Sequence, residues 1–382
     1  MITKKKIAVF TSIRSEYGVL TPLLTKLKNH YLFDFELIVG GAHLSHEYGF
    51  TISEIKKDGF KIACEIPFLN SNSICSSLSI LQNSIGEYFT NNKIDLLIVV
   101  GDRFELIPVV SSALILNIPI AHISGGDITI GAIDNQIRHA VTKMSHIHFP
   151  GTEKSKQNII KMGEESWRVC NVGELGIDSI LQNEPIEKEL IFKELGLHTS
   201  KKTAIITFHP ETISNGINSD FLIELFQKFQ QEFLEFQFII TASNFDLGGE
   251  EINTCLRKIA QQNSNMLFVE SLGQKRYYSM LRYVDVMIGN SSSGIIETQS
   301  FNLPVINVGE RQKGRERNIN TIDVSVNIEK IIDAFKYVLS TKFKIEINNS
   351  KNLYGNGDSA NQIINYLENC DFNLLLIKKD TF

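Results

Sequence analysis

The sequence predicts an α/β protein built as two doubly wound domains that face a cleft, and three observations carry that prediction. Short, continuously apolar runs bounded by turns recur along the chain, as expected for parallel strands buried on both faces. Helix-length segments separate them. The same alternation then begins again in the C-terminal half, with no short-period repeat that would suggest a solenoid.

In the first half the strand-like runs are Ile7–Phe10, Phe35–Gly41, Asp95–Gly101 and Ile118–Ile123. Tyr17–Asn29 and Phe104–Leu116 have helix length, and Ser71–Ser79 reads as a helix entry or a mobile loop. IHFPGTEKSKQNIIKMG continues with a strand, an N-cap signal and a helix. In the second half Thr203–Pro210, Phe236–Asn244, Met266–Glu270, VDVMIGN and PVINVG are the strand-like runs. Turn residues and charge gather at Val172–Lys188, which is the expected hinge. The domains are therefore expected at residues 1–175 and 176–358, and a C-terminal helix within 359–382 is expected to join the first. Ligands of such sheets bind beyond the carboxyl ends of the strands.

Length and composition narrow the class. The 382 residues suit two domains of ordinary size, and 43% hydrophobic with 21% charged residues describes a soluble globular chain. A formal net charge of -5 gives no reason to expect nucleic acid. Cys64, Cys75, Cys170, Cys255 and Cys370 are scattered without metal-ligand or disulfide spacing, which fits a reducing cytoplasm. The start MITKKKIAVF lacks the long apolar stretch of a signal peptide, and no uncharged run is long enough to span a bilayer.

Candidate ligand-binding residues lie just after the strands. GNSSSGIIE, Gly289–Glu297, follows a strand-like run and opens a helix-like one. Asn290, Ser291, Ser292, Ser293 and Gly294 offer backbone N–H groups and hydroxyls to phosphate oxygens, and Glu297 can accept bonds from a ribose diol. An ordinary serine N-cap explains the same letters. About twenty residues later ERQKGRERN places Arg311, Lys313, Arg315 and Arg317 around Gly314, where they suit a diphosphate or form a solvated basic loop. Asp102 and Arg103 follow the strand DLLIVVG, as ligand-edge residues or with Asp102 as a helix cap.

The next loop, His122–Lys143, carries Gly125, Gly126, Asp127, Asp134, Arg138 and His139. Three carboxylates on neighbouring strand ends can push their pKa values apart and so supply an acid and a base. Asp134 also reads as an N-cap with Arg138 as its ion-pair partner. His209 ends the strand TAIITF before Pro210, and Arg14 leads into a helix opening around Glu16. The chain contains no G-x-G-x-x-G after the first strand, and no P-loop, H-E-x-x-H, EF-hand or G-x-S-x-G.

IAVFTSIRSEYG, VVGDRFE, HISGGDITIGAIDNQIRHAVTKMSH, TFHP, IGNSSSGIIE and PVINVGERQKGRE occur in order along nearly the whole chain. Together they resemble the UDP-N-acetylglucosamine 2-epimerase family, in particular its hydrolysing branch. The resemblance implies two Rossmann-like domains in a GT-B-like fold, no cofactor, no catalytic metal, and a homo-oligomer, either dimer or tetramer. It implies a UDP-sugar substrate, with C2 deprotonation, anti elimination of UDP and hydration of the resulting glycal. Position by position, Asp102, Asp127, Asp134 and His209 match the family's catalytic residues. Arg14, Ser291, Ser292, Glu297 and Arg311 match its nucleotide contacts. Relatives commonly carry Glu where this chain has Asp127. The implied reaction converts UDP-N-acetylglucosamine and water to N-acetylmannosamine and UDP, and the neighbouring alternative is UDP-N,N'-diacetylbacillosamine. A non-hydrolysing epimerase, a GT-B glycosyltransferase and a nucleotide-sugar binding protein are the remaining readings.

Overall fold

The structure, a computed structural model, describes residues 4–70, 73–130, 133–182, 184–210, 217–243, 249–348 and 350–379. The strands among the described residues form two parallel six-stranded sheets. The first contains β1 (Lys5–Thr11), β2 (Phe33–Gly40), β3 (Ile62–Ile66), β4 (Leu96–Val100), β5 (Ile120–Ile123) and β6 (Ile147–Phe149). The second contains β7 (Lys202–Thr207), β8 (Phe236–Thr241), β9 (Met266–Val269), β10 (Val286–Gly289), β11 (Val305–Val308) and β12 (Thr321–Val324). Their orders are β3-β2-β1-β4-β5-β6 and β12-β11-β10-β7-β8-β9. Both are Rossmann-like, and each reverses direction of travel between its first and fourth strands. Those switch points, β1/β4 and β7/β10, are where an α/β sheet leaves a crevice for ligands.

The chain divides into two compact units. One comprises Met1–Asp127, Ile133–Ser179 and Gly355–Phe382; the other comprises Ile128–Ala132 and Ile180–Tyr354.

In the first unit, alternate residues of one strand feed different cores, which explains the unbroken apolar runs. Ile7 and Val9 of β1 join a cluster with Leu20, Leu24 and Leu27 of the helix Arg14–Lys28. Ala8 and Phe10 join Leu81, Ile85 and Phe89 of the helix Ile74–Asn91 on the opposite face. Ser73 caps that second helix, its hydroxyl accepting from the Ser76 N–H, so the serine-rich stretch is a helix entry from residue 73 onward. Residues 71 and 72 lie outside the described residues.

The helix Ser359–Glu368 buries Ala360, Ile363, Ile364 and Leu367 in the same core as Ile7. Buried Asp178 accepts its first two N–H groups, Ser359 at 3.0 Å and Ala360 at 2.7 Å. Arg168 then holds the following segment through the carbonyls of Leu375 and Ile377. In the second unit the core is strongly aromatic, with Phe229, Phe233, Phe236 and Phe335 in mutual contact. Among the described residues no helix is long and apolar enough to cross a membrane.

Burial sets an acid sensitivity in the first unit. Loss of hydration pushes the imidazoles of His43 and His146 down to about 4 and that of His122 to about 3. Below about pH 6.5 the unfolded chain binds protons that these rings refuse, so stability falls with pH. Glu16 works in the opposite sense, because burial raises its carboxyl to about 7 and the folded state keeps its proton above the unfolded value. The net expectation is a loss of roughly 2 kcal/mol per pH unit between about pH 6 and pH 5. The single tryptophan, Trp167, lies in this unit and reports on it. Its urea midpoint should fall on going from pH 7 to pH 5.5; a flat or rising midpoint would contradict the expectation.

Candidate active site

In the second unit the switch point is organised around Asn290. Gly289 precedes it at φ +137°, where an added Cβ would stand 1.8 Å from the Thr207 carbonyl oxygen. Only glycine fits there. Asn290 is fully buried. Its N–H donates to Thr207 O at 3.1 Å. Its side-chain amide pairs with the backbone of His209 in both directions, accepting from the N–H at 2.7 Å and donating to the carbonyl at 2.8 Å. Its own carbonyl accepts from Arg311 Nη1 at 3.1 Å and Gln312 Nε2 at 2.9 Å. One residue thus fixes the ends of β7 and β10 and the loop after β11.

His209 is buried, and its lost hydration, reinforced by the nearby Arg311 charge, pushes its imidazole down to about 3. Near neutral pH it is an uncharged ring that can donate or accept one hydrogen bond. The helix Ser292–Ile296 has only five residues, so backbone N–H groups and hydroxyls outweigh any macrodipole here. Ser291 occupies its N-cap position, yet its side chain makes no capping bond. The simple serine-cap reading is therefore not what the structure shows. Gly294 is needed for packing, since a Cβ would press to 3.1 Å from Val305.

Glu297 ends this short helix. Ser293 Oγ donates to its Oε2 and the Tyr278 hydroxyl donates to its Oε1 at 3.1 Å. Burial raises the Glu297 carboxyl, and both donors oppose that rise. On the basic loop, Lys313 pairs with Glu310 at 2.6 Å and Arg317 with Asp323 at 3.0 Å. Arg311 turns instead to Asn290, with Arg315 on the same loop. Still within the second unit, Gly314 sits at φ +101°, with the Ile128 carbonyl 2.8 Å from where a Cβ would be.

In the first unit Asp102 follows β4 after Gly101 (φ +83°). The helix after it, Leu106–Ile115, has Glu105 at its N-cap position, so Asp102 is not that cap. Asp102 pairs with buried Arg138, whose other nitrogen donates to the Asp127 carbonyl at 2.9 Å. Arg138 therefore joins the strand-end loops of β4 and β5. Arg138 reaches Asp102 on the neighbouring strand end, and Asp134 stands exposed in the first turn of the helix Ile133–Met144. Asp127 is half-buried and accepts from Ser155 Oγ at 3.3 Å.

Gly125 and Gly126 serve packing: a Cβ would meet His122 Nδ1 at 2.8 Å and Ser155 O at 2.3 Å respectively. Arg103 donates to Glu105 at 2.7 Å. Burial works against its charge, but Glu105, Glu16 and Asp134 together hold it up. Arg14 opens the helix Arg14–Lys28 and pairs with Glu54 at 3.0 Å on the surface.

Sequence reasoning passed over Tyr277, Tyr278 and Glu105. The tyrosines look like core residues of an amphipathic helix. Glu105 lies two residues after Arg103 and could have been found as its partner.

These features define a two-unit α/β protein with carboxylates on the ligand edge of one sheet and hydrogen-bond donors on that of the other. A family profile described as UDP-N-acetylglucosamine 2-epimerase matches residues 25–368. A Campylobacter jejuni GDP/UDP-N,N'-diacetylbacillosamine 2-epimerase (hydrolyzing) is 37% identical over 348 residues, covering 90% of each chain. A Legionella pneumophila UDP-N,N'-diacetylbacillosamine 2-epimerase (hydrolyzing) is 34% identical, covering 98% of each. In fold, the chain is similar to a Neisseria meningitidis UDP-GlcNAc 2-epimerase bound to UDP-GlcNAc. That match has a TM-score of 0.84 at 18% identity and covers 96% of this chain and 100% of that one. The chain belongs to the UDP-N-acetylglucosamine 2-epimerase family.

Asn290→Ala would leave two buried backbone groups of His209 without their partner, at about 1–3 kcal/mol each. Hydrogen exchange should show the β7 and β10 amides losing at least about 2 kcal/mol of protection. Protection equal to the parent chain would remove Asn290 from its central place.

Proposed function

We propose that this chain is a hydrolysing 2-epimerase of a UDP-linked 2-acetamido sugar, releasing the free 2-epimeric sugar and UDP. The observation that carries the reading is Arg138, which ties the Asp102 carboxylate to the Asp127 backbone and so joins two strand-end loops that each carry a carboxylate, with Asp134 close enough to act on Arg103. Such a group of carboxylates suits proton removal from a weakly acidic carbon, which needs a positioned base.

In this reading a carboxylate takes the C2 proton, the C1–O bond breaks, and UDP departs with the bonding electrons to leave a 2-acetamidoglycal. Water then adds its hydroxyl at C1, and C2 regains a proton on the opposite face. Asp102, Asp127 and Asp134 form the acid–base set, and neutral His209 orients by hydrogen bonding. Arg311 and Arg315, the backbone of Asn290 and Gly294, and the Ser291, Ser292 and Ser293 hydroxyls receive the diphosphate. Glu297 receives the ribose, and Arg14 and Arg103 complete the substrate contacts. The first unit is the sugar-handling part and the second the UDP-binding part. The enzyme is read as a cytoplasmic homo-oligomer, in keeping with its five free cysteines.

The two hydrolysing relatives named above, at 37% and 34% identity, favour a diacetamido-trideoxyhexose of the N,N'-diacetylbacillosamine type. UDP-N-acetylglucosamine is the second reading, supported by a Neisseria meningitidis UDP-N-acetylglucosamine 2-epimerase that is 28% identical over 342 residues.

Incubation with each UDP-sugar in deuterated water tests the proposal. The expected product is the free 2-epimeric sugar carrying deuterium at C2, formed faster from the diacetamido substrate. An epimerised sugar still attached to UDP, or no deuterium at C2, would contradict it. Asp102→Asn and Asp134→Asn should fold normally and lose turnover by about 10²-fold or more; near-normal rates in either would assign that residue to structure.

Asp127 gives a finer test. Its carboxylate is already tied to Ser155, so one extra methylene in Asp127→Glu displaces it. A displacement of about an ångström can cost about 10²-fold, and steady-state turnover should fall accordingly. A faster Asp127→Glu enzyme would show that the loop is not adjusted to the shorter acid.

A further inference from the structure

The helix Gly273–Leu281 places two adjacent tyrosines beside Glu297, with ring centroids 5.9 Å apart. The Tyr278 hydroxyl donates to Glu297 Oε1 at 3.1 Å, and Ser293 Oγ donates to Oε2. Ser293 Oγ is itself within 2.7 Å of the Tyr277 hydroxyl. Gln274, one turn earlier on the same helix, hydrogen-bonds Tyr278. Each carboxylate oxygen thus receives one internal donor, and each donor is held by another side chain.

A carboxylate has about two acceptor positions on each oxygen. With one position per oxygen already filled, Glu297 retains one on each. That is the pattern needed to accept two neighbouring hydroxyl donors at once. The internal donors also fix the carboxylate's rotation, so no rotational freedom remains to be lost on binding. Burial raises the Glu297 carboxyl, and these two donors oppose part of that rise.

We propose that Tyr278 is a positioning residue of the nucleotide site, holding Glu297 so that its two oxygens read the vicinal hydroxyls of a ribose. The inference rests on the reading of Glu297 as the ribose acceptor. Tyr278 touches Glu297 and acts through it. Its ring is buried, and removing the hydroxyl alone leaves that packing in place.

The test compares UDP with 2′-deoxy-UDP by calorimetry, using the intact chain and Tyr278→Phe. A hydrogen bond from the 2′-hydroxyl to a charged acceptor predicts that the parent chain prefers UDP by about tenfold or more. Tyr278→Phe should bind 2′-deoxy-UDP nearly as well as the parent does, while its preference for UDP shrinks to about threefold or less. A parent chain that fails to discriminate would overturn the reading of Glu297 itself. A discriminating parent with undiminished preference in Tyr278→Phe would overturn the role of Tyr278 alone. Equal weakening of both nucleotides would also overturn it, since general loosening of the site would then be the cause. In a Glu297→Ala background, adding Tyr278→Phe should leave the ratio unchanged; a further drop would show that Tyr278 acts by another route.

Discussion

The second sheet's ligand edge depends on the hydrogen bonds of one fully buried side chain, Asn290. A parallel sheet brings strand ends together at the switch point but does not fix the backbone beyond them. Asn290 does so by pairing with the backbone of His209 in both directions, while its carbonyl collects Arg311 and Gln312. The geometry requires the residue before it to be glycine, because any Cβ at Gly289 would collide with Thr207. The serine turn, the neutral histidine and the arginine of the proposed UDP seat therefore share one anchor. Placement of this kind favours preorganised donors, which cost no rearrangement when charge builds up on a leaving group.

The first sheet uses a cation for the equivalent task. Arg138 spans the loops after β4 and β5, binding the Asp102 carboxylate and the Asp127 carbonyl. Arg138 is itself buried, so its charge is held by hydrogen bonds within the protein and not by bulk water. Both units have the same strand order, yet their switch points carry opposite chemistry. One gathers carboxylates and the other gathers N–H, hydroxyl and guanidinium donors. The proposed reaction asks for that division, since it needs a base at carbon and donors at the departing diphosphate.

Much of this was legible in the sequence because strands buried on both faces read as unbroken apolar runs, and the polar residues after them stand out. β3 and β12 were not seen for the same reason: as edge strands they alternate buried with partly or fully exposed residues, in IACEI and TIDV. The serine turn was visible, but its short helix was not, and an argument from the helix dipole gives way to one from individual donors. The link from Arg138 to Asp102, 36 residues upstream on another strand end, could not be read from local spacing. Glycines gave a similar lesson. Gly125 and Gly126 read as positions that permit close approach, and the groups that approach them are His122 and Ser155. Tyr278 could not have been singled out, because a tyrosine on the buried face of a helix looks the same whether or not its hydroxyl meets a carboxylate.

The central claim is that the sugar's C1–O bond breaks and UDP leaves as an intact diphosphate. A turnover in water enriched with oxygen-18, followed by mass analysis of the nucleotide, tests it most directly. The account predicts UDP of unchanged mass, since the bridging oxygen stays with phosphorus and the solvent oxygen goes to the sugar. UDP carrying one oxygen from solvent would mean attack at phosphorus, and would contradict a site built for elimination at carbon.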